Sequence, residues 1–151
     1  MKATVYKLKD NIDLKSLEEL GFVFFKDNLT IIKPVKMSLD SGPVTYLLNS
    51  YYNNKEWKEK FYKKEKKSLK KELGLEYDKE GQIIMSEKFI EMLTTWFIQI
   101  DTSDGSWIGV TSGDKFDSYV FYNTKTLDQY FKEEVNLLLF NNLIEEFVVE
   151  E

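Results

Sequence analysis

Four aspartates in the second half of the chain come nearest, by type and spacing, to a reactive or metal-binding group. Asp101, Asp104, Asp114 and Asp117 lie in a stretch rich in turn-forming residues. Carboxylates bind hard cations such as calcium, and a pair of carboxylates can act as general acid and base. Segment 101–105 has glycine at its fifth position, whereas a calcium loop needs glycine at the sixth. Because aspartate is common at turns for conformational reasons alone, we expect no metal site here.

Three residue types that carry much of enzyme chemistry are missing. The 151-residue chain has no histidine, no cysteine and no arginine, so all 21 basic residues are lysines. Their absence excludes thiolate nucleophiles, Ser-His-Asp triads and ordinary zinc sites, and no cofactor is expected. Gly105, Gly109 and Gly113 form no phosphate-binding motif. An enzyme would have to use carboxylates or tyrosine, for example on a carbohydrate, and none of the 26 carboxylates stands out as catalytic.

A lysine-rich segment, 55–72, is the main departure from the average composition. It holds nine lysines and four glutamates, a local charge of +5 in a chain of net charge −5. Since interfaces favour aromatic side chains, and Trp57 and Phe61 share a helical face beside the lysines, this helix is predicted to bind a protein. Nucleic acid is not expected, because the rest of the chain is acidic and lysine alone gives non-specific phosphate contacts. The alternative is a solvated helix with Glu–Lys pairs.

The candidate partner-binding residues combine the lysines of this segment with aromatic side chains to be checked for exposure. They are Trp57, Phe61, Lys63, Lys64, Lys67 and Trp107.

The C-terminal segment, 132–151, is acidic and strongly apolar at once. It has six glutamates and one lysine, and Val135 and the run 137–140 are apolar. A helix that is apolar on all sides is either buried in the core or faces a partner, and the core is favoured. We therefore predict that Leu138 and Phe140 are buried, together with Leu93, Trp96 and Phe97 of an earlier helix.

Hydrophobic periodicity and turn residues predict about five helices and seven or eight short strands. The first three helices span 13–20, 44–52 and 55–73. The fourth begins at the cap residue Ser86 and includes Phe97. The fifth begins at a capping box, 126–129, and continues to at least Phe140. The strands span 3–8, 22–26, 29–33, 75–77, 82–85, 98–101, 107–111 and 116–122. Pro34 is predicted to close the hairpin of strands 22–26 and 29–33, because proline cannot donate a ladder hydrogen bond. Segment 143–149 is left open between helix and strand.

Most of these strands follow one another as hairpins, which is typical of an α+β fold rather than of a parallel sheet. We predict a single globular domain over 1–151, with an antiparallel, hairpin-rich sheet packed against about five helices. A split near 54–75 is the alternative, because the lysine-rich helix is the one compositional break.

The N-terminal residues Val5-Tyr6-Lys7-Leu8-Lys9-Asp10, with Ile12-Asp13-Leu14-Lys15 and Leu20-Gly21-Phe22, resemble the start of small proteins from AT-rich Gram-positive bacteria and their phages. That family has no assigned activity, so the resemblance implies an origin alone. Without a signal peptide or an 18-residue apolar run, the expected location is the cytoplasm and no membrane contact is expected.

Three functional hypotheses follow from these observations. The first is a small acidic protein that binds another macromolecule, most readily a protein, as an inhibitor, immunity protein or anti-defence factor; assembly with further copies of the chain is part of this hypothesis. The second is the carboxylate- or tyrosine-dependent enzyme, for which a deep cleft with two carboxylates would argue. The third is a DNA mimic, which requires rows of carboxylates at phosphate-like spacing.

Overall fold

A computed structural model describes residues 2–25, 29–53, 55–103, 105–113 and 119–150. These residues confirm the α+β class, with helices and two mostly antiparallel sheets. The strands are β1 (Lys2–Leu8), β2 (Val23–Phe25), β3 (Thr30–Lys36), β4 (Thr95–Asp101), β5 (Ile108–Ser112) and β6 (Ile144–Glu150). The helices are α1 (Lys15–Glu19), α2 (Gly42–Asn53), α3 (Lys55–Lys60), α4 (Lys66–Leu73), α5 (Glu87–Thr94), α6 (Thr124–Tyr130) and α7 (Lys132–Phe140), with a π-helical turn (Phe61–Glu65) between α3 and α4.

The chain divides into two compact units. The first contains the described residues of 1–35, 97–111 and 115–151, and the second those of 36–96 and 112–114. Segment 54–75, where the sequence analysis placed the alternative domain boundary, lies wholly inside the second unit. The single-domain organisation stays a prediction.

The two chain ends pair in the first unit. β1 and β6 form a two-stranded antiparallel sheet in which Val5 lies opposite Phe147 and Lys7 lies opposite Glu145. Segment 143–149, left open by the sequence, is therefore a strand along most of its length. A second sheet has the order β2-β3-β4-β5.

Pro34 lies inside β3, so the prediction that it closes the hairpin was wrong. The bonds from Thr102 N to Leu29 O (2.8 Å) and from Met37 N to Thr94 O (2.7 Å) fit one antiparallel register between β3 and β4. In that register the odd-numbered residues of β3 bond to β4, so position 34 faces the β2 side. β2 ends its pairing at Val23 opposite Ile32, so the missing N–H of Pro34 costs the sheet no hydrogen bond.

The predicted lysine-rich helix is present in the second unit, but it is interrupted. In a regular α-helix, eight residues turn about 800°, which would place Phe61 and Leu69 about 80° apart. The π-helical turn rotates less per residue, because its bonds run from i to i+5. Phe61 and Leu69 are both buried, at 1% and 6% exposure, so the turn brings them to one face of the helix. Gly74 ends the helix as predicted, in the left-handed conformation at φ 71°.

Helix α5 starts at the predicted cap and ends earlier than predicted. The Ser86 hydroxyl accepts a hydrogen bond from Phe89 N at 3.2 Å. The helix stops at Thr94, and β4 then buries alternate residues, with Trp96 inside and Phe97 half-buried. Two adjacent β-branched threonines at this point favour the extended backbone. Trp96 and Phe97 thus belong to a strand, and the prediction that they share a helix with Leu93 was wrong.

The last predicted helix is two helices, α6 and α7, separated at Phe131. Asn123 is the cap of α6, since its Oδ1 accepts from Thr126 N at 2.8 Å; Thr126 itself lies inside the helix. Phe131 is fully buried with a non-helical backbone (φ −129°, ψ 34°), which breaks the helix. Leu138 is buried as predicted, but Phe140 is 90% exposed, so its predicted burial was wrong.

Candidate interaction surfaces

The aromatic residues beside the lysines belong to a cluster inside the second unit. The ring of Trp57 lies 4.8 Å from that of Tyr51, and Phe61 lies 5.4 Å from Tyr77 in an edge-to-face contact. Tyr51 is fully buried and also contacts Phe89 at 5.4 Å. This cluster is held together by burial and ring geometry, so Trp57 and Phe61 stabilise their own unit.

Several lysines of the helix cover this cluster. The Nζ atoms of Lys58, Lys60 and Lys66 lie 5.9, 5.2 and 5.4 Å from the ring centroids of Tyr77, Trp57 and Phe61. Cation–π contacts of this kind contribute about 0.5–1 kcal/mol each at exposed sites. These three lysines therefore cover aromatic rings of their own unit.

The remaining predicted partner-binding residues are separated between the units. Lys63 and Lys67 are exposed on the second unit, and the side chain of Lys64 lies outside the described part. Trp107 belongs to the first unit, where it pairs with Lys7 through an isolated bridge, and its carbonyl accepts from the Tyr119 hydroxyl at 3.3 Å. Binding through these six residues stays a prediction.

Of the four aspartates in the turn-rich segment, Asp101 lies among the described residues. Asp101 accepts hydrogen bonds from the Ser103 backbone N (3.0 Å) and hydroxyl (2.6 Å), which is a turn-stabilising role. Asp104, Asp114 and Asp117 lie outside the described residues. Within the described ranges, no group of three or more Asp or Glu side chains is placed to hold a metal ion.

Two tyrosines, Tyr77 and Tyr6, have raised pKa values. Burial raises the pKa of Tyr77 to about 12, and the neighbouring Tyr62 and Tyr52 add to the effect; its hydroxyl donates to Tyr51 O at 2.7 Å. Burial also raises the pKa of Tyr6, and its hydrogen bond to Asp128 Oδ1 (2.7 Å) adds to this. Both hydroxyls are held protonated as structural hydrogen-bond donors, which makes them poor proton acceptors near neutral pH.

Among the described residues of the first unit, the most exposed large apolar side chain is Phe140 on α7, and two exposed leucines lie beside it. Leu137, Leu139 and Phe140 are 44%, 41% and 90% exposed, while Val135 and Leu138 on the other side of the helix are buried. Phe140 points directly away from the buried side, because it lies two positions, or about 200°, after Leu138. The all-round apolar run was the signal in the sequence, and the structure shows that its outer half is free of the core.

Strand β6 continues this exposed apolar character. Its middle residues 145–148 are all exposed, including Phe147 at 44% and Val148 at 57%. Since successive side chains of a strand point to opposite faces, both faces of β6 are open to solvent at its middle.

Comparison with family models, with curated proteins and with solved structures finds no match for this chain. Among the described residues, no helix is long and apolar enough to cross a membrane.

Proposed function

We propose that this is a binding protein that recognises another protein in the cytoplasm, as an inhibitor, immunity protein or anti-defence factor does. The observation that carries the proposal is the exposed apolar side of α7, with Phe140 at its centre. A solvent-exposed phenylalanine flanked by two exposed leucines has no role in the core of its own unit. Such a group supports protein contact, since aromatic side chains in apolar pockets supply much of the binding energy of interfaces.

The charge around α7 defines the partner's chemistry. Glu133 and Glu134 lie in the first turn of α7, and Glu145 and Glu146 follow in β6. A partner should therefore offer an apolar pocket for Phe140 with basic side chains at its border. The same acidic border argues against nucleic acid, whose phosphates it would repel.

The proposal is tested by retention of a partner on immobilised protein. Wild type, Phe140→Asp and the control Leu39→Asp are exposed to lysate of the encoding organism, and retained proteins are identified by mass spectrometry. Leu39 is 46% exposed on the second unit, so the control makes the same chemical change elsewhere. Burying a phenylalanine contributes about 1.5–3 kcal/mol, so we expect at least roughly a tenfold loss of retention for Phe140→Asp alone.

A fourth variant examines the lysine-rich helix. If Lys63→Glu, Lys64→Glu and Lys67→Glu together abolish retention while Phe140→Asp does not, the partner binds the second unit and the α7 proposal is wrong. Equal retention by all variants would also contradict it.

A further inference from the structure

Among the described residues, strand β6 pairs with β1 along one edge and with no strand along the other. Lys9 N donates to Leu143 O at 2.9 Å, in the same register that pairs Lys7 with Glu145. In an antiparallel ladder, alternate residues bond to the neighbouring strand, so Glu145, Phe147 and Val149 bond to β1. On the far side of β1, Leu8 N donates to Ser106 O at 3.1 Å, as this alternation requires.

The backbone groups of the other β6 residues therefore point away from β1. These residues are Ile144, Glu146, Val148 and Glu150. Among the described residues no third strand pairs with β6, and residues 145–148 are exposed on both faces. A seven-residue strand with an open edge is a template for adding another strand.

We propose that the occupant of this edge is β6 of a second copy, paired antiparallel with Phe147 opposite its own equivalent. In such a dimer only outward-facing residues can form hydrogen-bonded pairs, so even-numbered residues must lie opposite even-numbered residues. The proposed register pairs Glu146 with Val148 and Ile144 with Glu150, and it uses all seven residues of the strand.

Charge selects this register over its neighbours. With Phe147 at the symmetry axis, every glutamate of β6 lies opposite an apolar residue: Glu145 faces Val149, Glu146 faces Val148 and Glu150 faces Ile144. A shift of two residues in one direction places Glu146 opposite itself, and a shift in the other direction places Glu146 opposite Glu150. Like charges directly opposite destabilise a strand pair, so the strand is complementary to itself in one full-length register.

Strand β1 reduces the remaining repulsion. Lys7 lies opposite Glu145 and Lys2 lies opposite Glu150 within the same chain. The Nζ atom of Lys7 also lies 5.0 Å from the ring centroid of Phe147. Each acidic strand thus carries two lysines beside it, and the two phenylalanines at the axis form an aromatic cross-strand pair.

The absence of cysteine makes a disulfide test of the register direct. At a non-hydrogen-bonded pair the Cα atoms lie about 4.5 Å apart, within the range that a disulfide spans. We expect Phe147→Cys to form a disulfide-linked dimer on mild oxidation. Val148→Cys is the matched control: its equivalents lie two residues out of register, beyond about 7 Å, so no disulfide-linked dimer should form. A mixture of Glu146→Cys and Val148→Cys should form the mixed dimer.

A proline variant tests the β6 edge by removing a backbone hydrogen bond, without any cysteine or oxidation. The N–H of Val148 points away from β1, so Val148→Pro removes a bond of the dimer and none of the β1–β6 sheet. Sedimentation at several concentrations should show a wild-type dimer that tightens as salt screens the acidic strands, and a monomeric Val148→Pro. At dilutions where the wild type is also monomeric, the two proteins should have the same melting temperature.

Three results would overturn the dimer: a wild type that stays monomeric at all concentrations, equal cross-linking by Phe147→Cys and Val148→Cys, or a self-association that weakens with salt. These outcomes are separate from the test of the proposed function. Loss of partner retention by Phe140→Asp reports on α7, whereas cross-linking at position 147 reports on the β6 edge.

Discussion

Phe140 and Leu138 are two residues apart in one apolar run and have opposite environments. Leu138 is fully buried and Phe140 is 90% exposed. Hydrophobicity alone gives both residues the same preference for the core. What separates them is the 200° rotation between positions two apart on a helix, together with the direction in which α7 leaves Phe131. At this scale, the geometry of the helix decides which side chain stabilises the fold and which remains available for a partner.

Leucines at fully buried positions should carry much of the stability. Leu93→Ala and Leu138→Ala should each lower the free energy of unfolding by about 2–5 kcal/mol, through lost apolar burial and the cavity left behind. Phe140→Ala is the control and should change it by less than about 0.5 kcal/mol, as exposed substitutions usually do. Urea denaturation measures all three variants. Near-neutral results for both leucines would show that these positions are not tightly packed.

Tyr77 should make the second unit sensitive to high pH. Burial raises its pKa in the folded protein from the usual 10.0 to about 12, so the unfolded chain loses this proton first as pH rises. The contribution is fully present below pH 10.0 and is lost as pH rises toward about 12. Ultraviolet absorbance of tyrosinate should show a delayed ionisation that is missing in Tyr77→Phe. A titration of the two proteins that differs by one tyrosine of ordinary pKa would contradict the assignment.

Helix ends show where a sequence pattern can mislead at the scale of the element. The spacing Thr126-Leu127-Asp128-Gln129 fits a capping box, yet the backbone N of Thr126 is itself the capped group. Asn123, three residues earlier, is an equally suitable cap residue. The choice between them depends on β1, because Asn123 also pairs with Val5 through an isolated bridge.

Alanine substitution at Asn123 and at Thr126 should affect stability differently. Asn123→Ala should lower the free energy of unfolding by about 0.5–2 kcal/mol, the usual effect of losing an N-cap, whereas Thr126→Ala should be near neutral because alanine is the better helix former. Thermal and urea unfolding of the two variants measures the difference. The reverse order of effects would show that Thr126 is the cap after all.

Local sequence signals predicted the helix ends that depend on a left-handed glycine or on a capping side chain. Gly74 and Ser86 marked the end of α4 and the start of α5 correctly. Local signals failed where long-range contacts determine the structure. The helices end at Thr94 and before Phe131, although the apolar pattern continues past both residues. Pro34 is tolerated in β3 because the short strand β2 ends before it reaches the position opposite Pro34. For the candidate surfaces, composition located the lysine-rich and acidic segments, but exposure depends on packing, which placed Phe61 inside and Phe140 outside.

At the scale of the whole molecule, each compact unit has its own buried apolar residues and its own strongly charged segment. The second unit contains the lysine-rich helix, and the first contains the acidic segment from Lys132 onward. Large buried side chains occur in both, such as Trp96 in the second unit and Phe131 in the first. Apolar burial is thus the main stabilising contribution that the described residues show, consistent with a chain that has no cysteine to form disulfides.

Folding of this molecule should be independent of transition metals. The chain lacks histidine and cysteine, and the described carboxylates form no group that could hold an ion. Metal that binds the folded state alone would raise its stability, and removing it would lower the melting temperature. Melting curves with and without a chelator should therefore coincide. A decrease of several degrees on chelation would show that a metal site exists.

The π-helical turn between α3 and α4 should allow the lysine-rich segment to lose one residue and keep its buried face. Seven residues of regular α-helix turn about 700°, so loss of one residue from this turn would leave Phe61 and Leu69 facing the same side. We expect deletion of Lys63 to preserve the helical circular dichroism and most of the melting temperature. Deletion of Asn136 from α7 has no such turn to absorb it and should be strongly destabilising. A homologue that lacks one residue near position 63 should therefore form a regular helix with the same buried face.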